Sequence, residues 1–185
     1  HEIDGNLYHF GENSGQLKYG WSKTLDGVQY YSDKEGKLHV GFTDIDGYRY
    51  YFDKTTGGLK SGFTEIEGKL YHFDEEESYL YYGFHNDDNG NYYYADDNGI
   101  IMNNGWWSND GHDYYSMNTG VIYRGIKMID GNLYHFGENS GQLKYGWSKT
   151  LDGDNYYAGN DGILYRGIHE IDGNLYHFGE NSGQL

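Results

Sequence analysis

Three of the four tryptophans in this chain follow a glycine, as Gly20-Trp21, Gly105-Trp106 and Gly146-Trp147. The fourth, Trp107, completes a Trp pair. Indoles and phenols facing outward from a regular scaffold suit recognition rather than bond-making. Their faces stack on the apolar side of a sugar ring or hold a cation through the ring quadrupole. Each indole has candidate companions: Tyr31 for Trp21, Tyr157 for Trp147, and Tyr92, Tyr94 and Tyr115 for the Trp106-Trp107 pair. Asp113 and Asn109 fall in the same stretch and could fix a ligand's orientation by hydrogen bonds. Trp107 occupies a slot filled elsewhere by Ser22, Thr43, Thr64, His85, Lys127, Ser148 or His169. An indole in a mostly polar slot predicts an exposed platform there, with Trp21/Tyr31 and Trp147/Tyr157 as weaker copies.

Other reactive residue types read as structural. His9, His72, His135 and His177 stand where the repeat elsewhere has Tyr, so a flat, half-buried, hydrogen-bonding ring is expected of them. The acidic clusters Asp74-Glu75-Glu76-Glu77 and Asp87-Asp88-Asn89-Gly90 match no calcium loop and fall at turns, where Asp and Asn belong. There is no Cys, hence neither disulfide framework nor thiolate metal site. No nucleophile triad, phosphate loop or dinucleotide motif stands out. Neither catalytic residue, metal nor cofactor is expected.

The elements that carry these rings repeat. Residues 1–17 recur unchanged at 169–185, and 3–27 at 129–153. Units start near 3, 25, 45, 66, 87, 109, 129, 151 and 171, at intervals of 20 to 22 residues. Each runs turn, aromatic strand, Gly/Asn turn, then a short strand closed by Gly plus an apolar residue. Tyr and Phe favour strands, and Gly/Asn/Asp between two short runs signals a hairpin. A single hairpin is marginal in water, whereas stacked hairpins share a continuous core. The predicted fold is therefore an all-β solenoid of stacked two-stranded hairpins, one repeat domain over 1–185 and a fragment of something larger. Leu-Tyr-His-Phe at 7, 70 and 133 suggests a 63-residue superperiod, from three hairpins per turn or from duplication, and the copy at 175 breaks the spacing.

Strand alternation splits the aromatic run. The third and fifth residues after the turn Gly, such as Tyr50 and Phe52, are assigned inward with an apolar slot (Leu17, Leu38, Leu59, Leu80, Met102, Ile122, Leu143, Leu164). The second and fourth, such as Arg49 and Tyr51, are assigned outward. A formal net charge of −16 argues against nucleic acid and anionic membrane as partners. No apolar run is long enough for membrane insertion.

The turn–Tyr-Tyr–turn–Gly-Trp pattern, seen for example in IDGYRYYFDKTTGGLKSGF at 45–63, resembles the bacterial cell-wall-binding repeats. That group includes choline-binding modules, glucan-binding repeats and the short C-terminal repeats of large clostridial toxins, the last being most similar. The resemblance covers essentially the whole chain. It implies a solenoid with about three hairpins per turn, a secreted or cell-surface location and binding without catalysis. Choline modules cage the ammonium with a Trp two residues after the turn Gly. Here that place holds Leu7, Gln29, Arg49, Leu70, Asp113, Leu133 and Asn155, and only the unit at 87–108, with Tyr92, Tyr94, Met102 and Trp106, comes close. The expected partner is accordingly cell-surface or cell-wall carbohydrate. Choline or teichoic acid is the alternative, and a structural stalk that self-associates through its solenoid ends is a third reading.

Overall fold

The computed structural model describes residues 1–185. It contains eighteen strands and no helix. The chain divides into two compact units, one of His1–His85 with Ala95–Ile101, the other of Asn86–Tyr94 with Met102–Leu185. The first holds β1 (Glu2–Ile3), β2 (Asn6–Leu7), β3 (Gly20–Lys23), β4 (Gln29–Ser32), β5 (Gly41–Ile45), β6 (Tyr48–Phe52), β7 (Gly62–Ile66) and β8 (Lys69–Phe73). β9 (Gly83–Asn86) and β10 (Tyr92–Ala95) are divided between the units. The second holds β11 (Gly105–Asn109), β12 (His112–Ser116), β13 (Gly125–Ile129), β14 (Asn132–Phe136), β15 (Gly146–Lys149), β16 (Asn155–Ala158), β17 (Gly167–Ile171) and β18 (Asn174–Phe178). Within each unit, successive strands pair antiparallel as separate two-stranded sheets. The fold is the expected all-β solenoid of stacked hairpins.

Turn chemistry makes the hairpins. Six of them reverse on two residues with positive φ: Asp4-Gly5, Asp46-Gly47, Glu67-Gly68, Asp110-Gly111, Asp130-Gly131 and Asp172-Gly173. This is the turn whose twist matches that of paired strands. The loops that begin at Thr24, Asp87 and Thr150 are longer. A side-chain oxygen of each accepts from the backbone N–H four residues on, at Val28 (2.9 Å), Asn91 (2.9 Å) and Asp154 (3.1 Å). Those three starting residues are 63 apart, so every third hairpin has the longer loop. The superperiod is a feature of backbone geometry as well as of sequence.

Backbone hydrogen bonds tie each hairpin to the one before it. In the first unit Leu38 N–H donates to Leu7 C=O, Leu59 to Gln29, Leu80 to Arg49 and Ile101 to Leu70, at 2.8–2.9 Å. In the second, Ile122 donates to Tyr92, Leu143 to Asp113, Leu164 to Leu133 and Leu185 to Asn155, at 2.8–2.9 Å. The donors are the apolar slot residues, so the residues whose side chains pack inward, such as Leu80, Ile101, Ile122, Leu143 and Leu164, also carry the inter-hairpin bonds through their main-chain N–H groups. In the fifth repeat this residue is Ile101, not the expected Met102. One extra residue, Asn104 at φ 60°, separates it from the next Gly, so counting back from Trp106 lands one place late.

Packing bears out the fifth residue as the core position. Phe52, Phe73, Phe136 and Phe178 are fully buried, as are Ser32, Ala95, Ser116 and Ala158. Burying one such ring is worth about 1.5–3 kcal/mol. The fourth residue, assigned outward, is mixed: it is half-buried at Tyr31, Tyr94, Tyr115 and Tyr157 and exposed at His177, where a half-buried ring was expected, but buried at Tyr51, while the third residue is buried at Tyr71, Tyr93, Tyr114 and Tyr156. Tyr51 is 7% exposed and packs with Ile66, Tyr71, Phe73 and Leu80, whereas Tyr50 is half-buried. His9, His72 and His135 in the same place are also buried. A hairpin inside a stack meets a neighbour on both faces, so strand alternation no longer separates core from surface. The expected order of truncation costs therefore reverses, with Tyr51 above Tyr50.

The buried histidines do what a ring in a Tyr slot should. His9 and His135 each place Nδ1 2.8 Å from the hydroxyl of a serine on the following hairpin, Ser22 and Ser148. His72 Nδ1 lies 2.9 Å from His85 Nε2. Burial is the main force holding the His9 and His135 pKa values below 6.5, and Glu138 opposes it at His135 from 3.4 Å. A base whose folded pKa is depressed stabilises the fold above its unfolded pKa and loses that contribution as pH falls. The melting temperature should thus decline as pH drops below about 6.5, and His135→Gln should flatten part of the slope. A melting temperature constant from pH 7.5 down to about 5 would refute this, since exposed histidines leave no such slope.

Candidate functional site

The three glycine-following indoles form one arrangement three times. Each pairs across its hairpin with a fourth-position Tyr: Trp21 with Tyr31, Trp106 with Tyr115, Trp147 with Tyr157. Each also meets the third-position Tyr of the next hairpin, namely Tyr50, Tyr134 and Tyr176. Ring centroids lie 5.0–5.2 Å apart, and the tyrosines stand at 64–83° to the indole. Phe52, Phe136 and Phe178 back the corner at 5.8–6.1 Å. The indoles remain 42%, 46% and 45% exposed. The result is a three-ring corner with a fixed floor and an open mouth, one in the first unit and two in the second.

Sequence reasoning found two members of each corner and missed the third. Tyr50, Tyr134 and Tyr176 were assigned to the core, and each comes from the hairpin after its tryptophan. The usable signal was a Tyr 28 or 29 residues downstream of each Gly-Trp.

The single platform expected around Trp106-Trp107 does not exist. Trp107 is 9% exposed, stacks on Tyr114 (4.4 Å, 11°) and Tyr94 (5.1 Å, 19°), and donates from Nε1 to Ser116 Oγ at 2.8 Å. It is a packing residue. Neighbours in a strand point to opposite faces, so Trp106 and Trp107 cannot share a surface. Tyr94 goes inward with Trp107 and bonds Asn109 Oδ1 through its hydroxyl at 3.0 Å. Tyr92 packs on the same cluster, with Arg124 over its ring at 5.8 Å. Tyr115 alone stays with Trp106. Asp113 is engaged by the hydroxyls of Ser108 and Tyr145, which hold its carboxyl below the usual range.

The first residue of each acidic cluster caps its own turn. Asp87 accepts from the amides of Asn89 and Asn91 and from the Tyr93 hydroxyl, and Asp74 from those of Glu76 and Glu77 and from the Tyr81 hydroxyl.

A family model described as a cell wall binding repeat, of the choline-binding type, matches residues 83–101. The matched unit is similar to a cell-wall-binding repeat, and the other units share its plan of hairpin, aromatic run and Gly-apolar step. The fold is similar to that of CbpJ from Streptococcus pneumoniae TIGR4, with a TM-score of 0.73 and 24% identity over 98% of this chain and 78% of that one. It is also similar to choline binding protein F from Streptococcus pneumoniae (TM-score 0.56, 23% identity), covering 100% of this chain and 56% of that one. A third similar structure is the modular autolysin LytC from Streptococcus pneumoniae in complex with a synthetic peptidoglycan ligand (TM-score 0.53, 22% identity), with 100% of this chain and 42% of that one covered. At these identities the likeness is one of fold. No curated protein sequence matches the chain.

Proposed function

We propose that this chain is a non-catalytic attachment module that holds cell-wall or cell-surface glycan through several weak aromatic sites, the three Trp corners. The observation that carries this reading is repetition: the same indole and two tyrosines recur with ring separations of 5.0–5.2 Å and the indole near half exposed each time. Shallow sites of this kind bind weakly alone. Linked in one chain, they gain avidity without any new contact. The similarity of fold to cell-wall-binding proteins supports a location at or outside the cell surface.

A second reading is favoured by the ring angles. Tyrosines at 64–83° to the indole make a corner rather than a flat platform, and a corner suits a quaternary ammonium, as on choline-bearing teichoic acid. The net charge of −16 would attract such a cation.

One experiment tests both. Retention on isolated cell-wall material should fall modestly for Trp21→Ala, Trp106→Ala or Trp147→Ala alone. In the triple variant it should fall by about 100-fold, the loss of avidity expected when linked sites go together. Elution of the parent by millimolar free choline would select the ammonium reading, and retention in its presence the glycan reading. A triple variant that binds like the parent would refute the corners as sites.

A further inference from the structure

The first unit also contains a groove of about 650 Å³ that involves none of the three tryptophans. One wall is the tip of the β5–β6 hairpin, with Asp44, Tyr48 and Arg49. The other is the segment after β8, with Tyr79 and Tyr82, and Asp97 also lines the groove. The Leu80 N–H to Arg49 C=O bond (2.8 Å) fastens the two walls, so the groove is held by main chain. Tyr48 and Tyr82 are 54% and 44% exposed, and the Tyr48 and Tyr79 rings lie 5.3 Å apart at 36°. Between them Arg49 makes a two-pronged pair with Asp44, Nε to Oδ1 at 2.7 Å and Nη2 to Oδ2 at 3.0 Å.

No other repeat assembles this set. The place of Arg49 is taken elsewhere by Leu7, Gln29, Leu70, Tyr92, Asp113, Leu133, Asn155 and Leu175, and that of Tyr79 by Gln16, Lys37, Gly58, Ile100, Val121, Gln142, Ile163 and Gln184. In the second unit, Asp113 and Tyr145 stand where Arg49 and Tyr82 stand here, and the Tyr145 hydroxyl bonds Asp113 at 2.5 Å. In the first unit Tyr82 and Asp44 both engage Arg49, so the guanidinium is held in place at the groove rather than the position being closed by a tyrosine–carboxylate bond.

The chemistry selects a ligand class. Tyrosine faces stack on the C–H side of a pyranose, and a carboxylate with a guanidinium offers acceptors and fixed donors to neighbouring hydroxyls. Asp44 already neutralises Arg49, Asp97 adds negative charge, and the chain carries −16, so an acidic sugar or phosphate is disfavoured. We propose that this groove is a dedicated binding site for a neutral, hydroxyl-rich oligosaccharide, distinct from the Trp corners. It deepens the glycan reading of the module but does not depend on the corners being sites.

The test is calorimetric titration of the full chain with maltotriose, isomaltotriose and chitotriose, with sialyllactose as the acidic probe. At least one neutral trisaccharide should bind. Tyr82→Ala and Arg49→Lys should each weaken it by about ten-fold or more at an unchanged melting temperature, while the triple Trp variant binds it like the parent. Arg49→Lys keeps the charge but loses the fork, so it separates geometry from electrostatics. Loss of binding in the triple Trp variant alone would overturn the groove and leave the corner reading standing. Preference for sialyllactose, or saturable binding of none of the three neutral probes, would also overturn it.

Discussion

Replacing Trp107 with alanine is expected to unfold the second unit early. The indole is enclosed between Tyr94 and Tyr114 with Ile122 against it, and its removal leaves a cavity no neighbour can fill without breaking register. Truncating a buried aromatic of this size costs about 3–5 kcal/mol. The loss of the Nε1–H to Ser116 bond leaves a fully buried hydroxyl without its donor, which adds about 1–3 kcal/mol. Against a domain stability of about 5–15 kcal/mol, that is a large fraction. In a stack the damage is local, because each hairpin depends on its neighbours. Hydrogen exchange should show β11–β14 losing protection first, and thermal denaturation a lower first transition. Glycan retention by the folded fraction should be unchanged. A Trp107→Ala protein that melts like the parent would mean the indole is not part of the core.

The second large effect is expected at the turn that follows each aromatic strand. Its last residue falls every 21 residues, at 15, 36, 57, 78, 99, 120, 141, 162 and 183, always at positive φ and in every case but Ser78 a glycine. At Gly141, with φ +68°, an added Cβ would lie 2.6 Å from Ile122 Cγ2 and 3.3 Å from the Tyr123 carbonyl oxygen. Ile122 is β-branched and 2% exposed, so it has little room to yield. Left-handed backbone costs an L-residue about 1–2 kcal/mol, and overpacking a further 1–3 kcal/mol or so. Gly141→Ala should therefore destabilise by about 2–5 kcal/mol, read from chemical denaturation. The same argument predicts the opposite sign at Ser78, where φ is +62° and Ser78→Gly should stabilise by about 0.5–1 kcal/mol. If both substitutions shift stability the same way, backbone conformation is not what selects glycine here.

Much of the molecule was legible in the chain itself. The hairpins could be read because Asp-Gly between two short strand-forming runs favours a tight turn, as at Asp4-Gly5 and Asp46-Gly47, although Asp26-Gly27 and Asp152-Gly153 fall in longer loops where the Asp keeps a negative φ. Phe52, Phe73, Phe136 and Phe178 could be placed in the core because the fifth-position residue shares a strand face with the Tyr two residues before it, and a Phe on that face has no polar group to keep in water. The repeat could be identified from turn, aromatic run and Gly-Trp spacing, since those features are local. Even the separation of Trp106 from Trp107 was available, because adjacent strand residues cannot share a face.

What only the packed structure decided depends on neighbours that lie one repeat away. Tyr51 and His135 are buried because a hairpin in a stack is covered on both sides, which alternation within one strand cannot express. Tyr50, Tyr134 and Tyr176 complete the corners because inter-hairpin bonds such as Leu59 N–H to Gln29 C=O bring the next strand under the preceding indole. The groove beside Arg49 exists because the Leu80–Arg49 main-chain bond sets the Tyr79–Tyr82 segment against a hairpin tip some thirty positions earlier. The chain alone specifies its turns, strands and core positions, each by local backbone chemistry. Its binding surfaces arise where two hairpins meet, and that meeting is governed by bonds between residues too far apart in sequence for any local pattern to reveal.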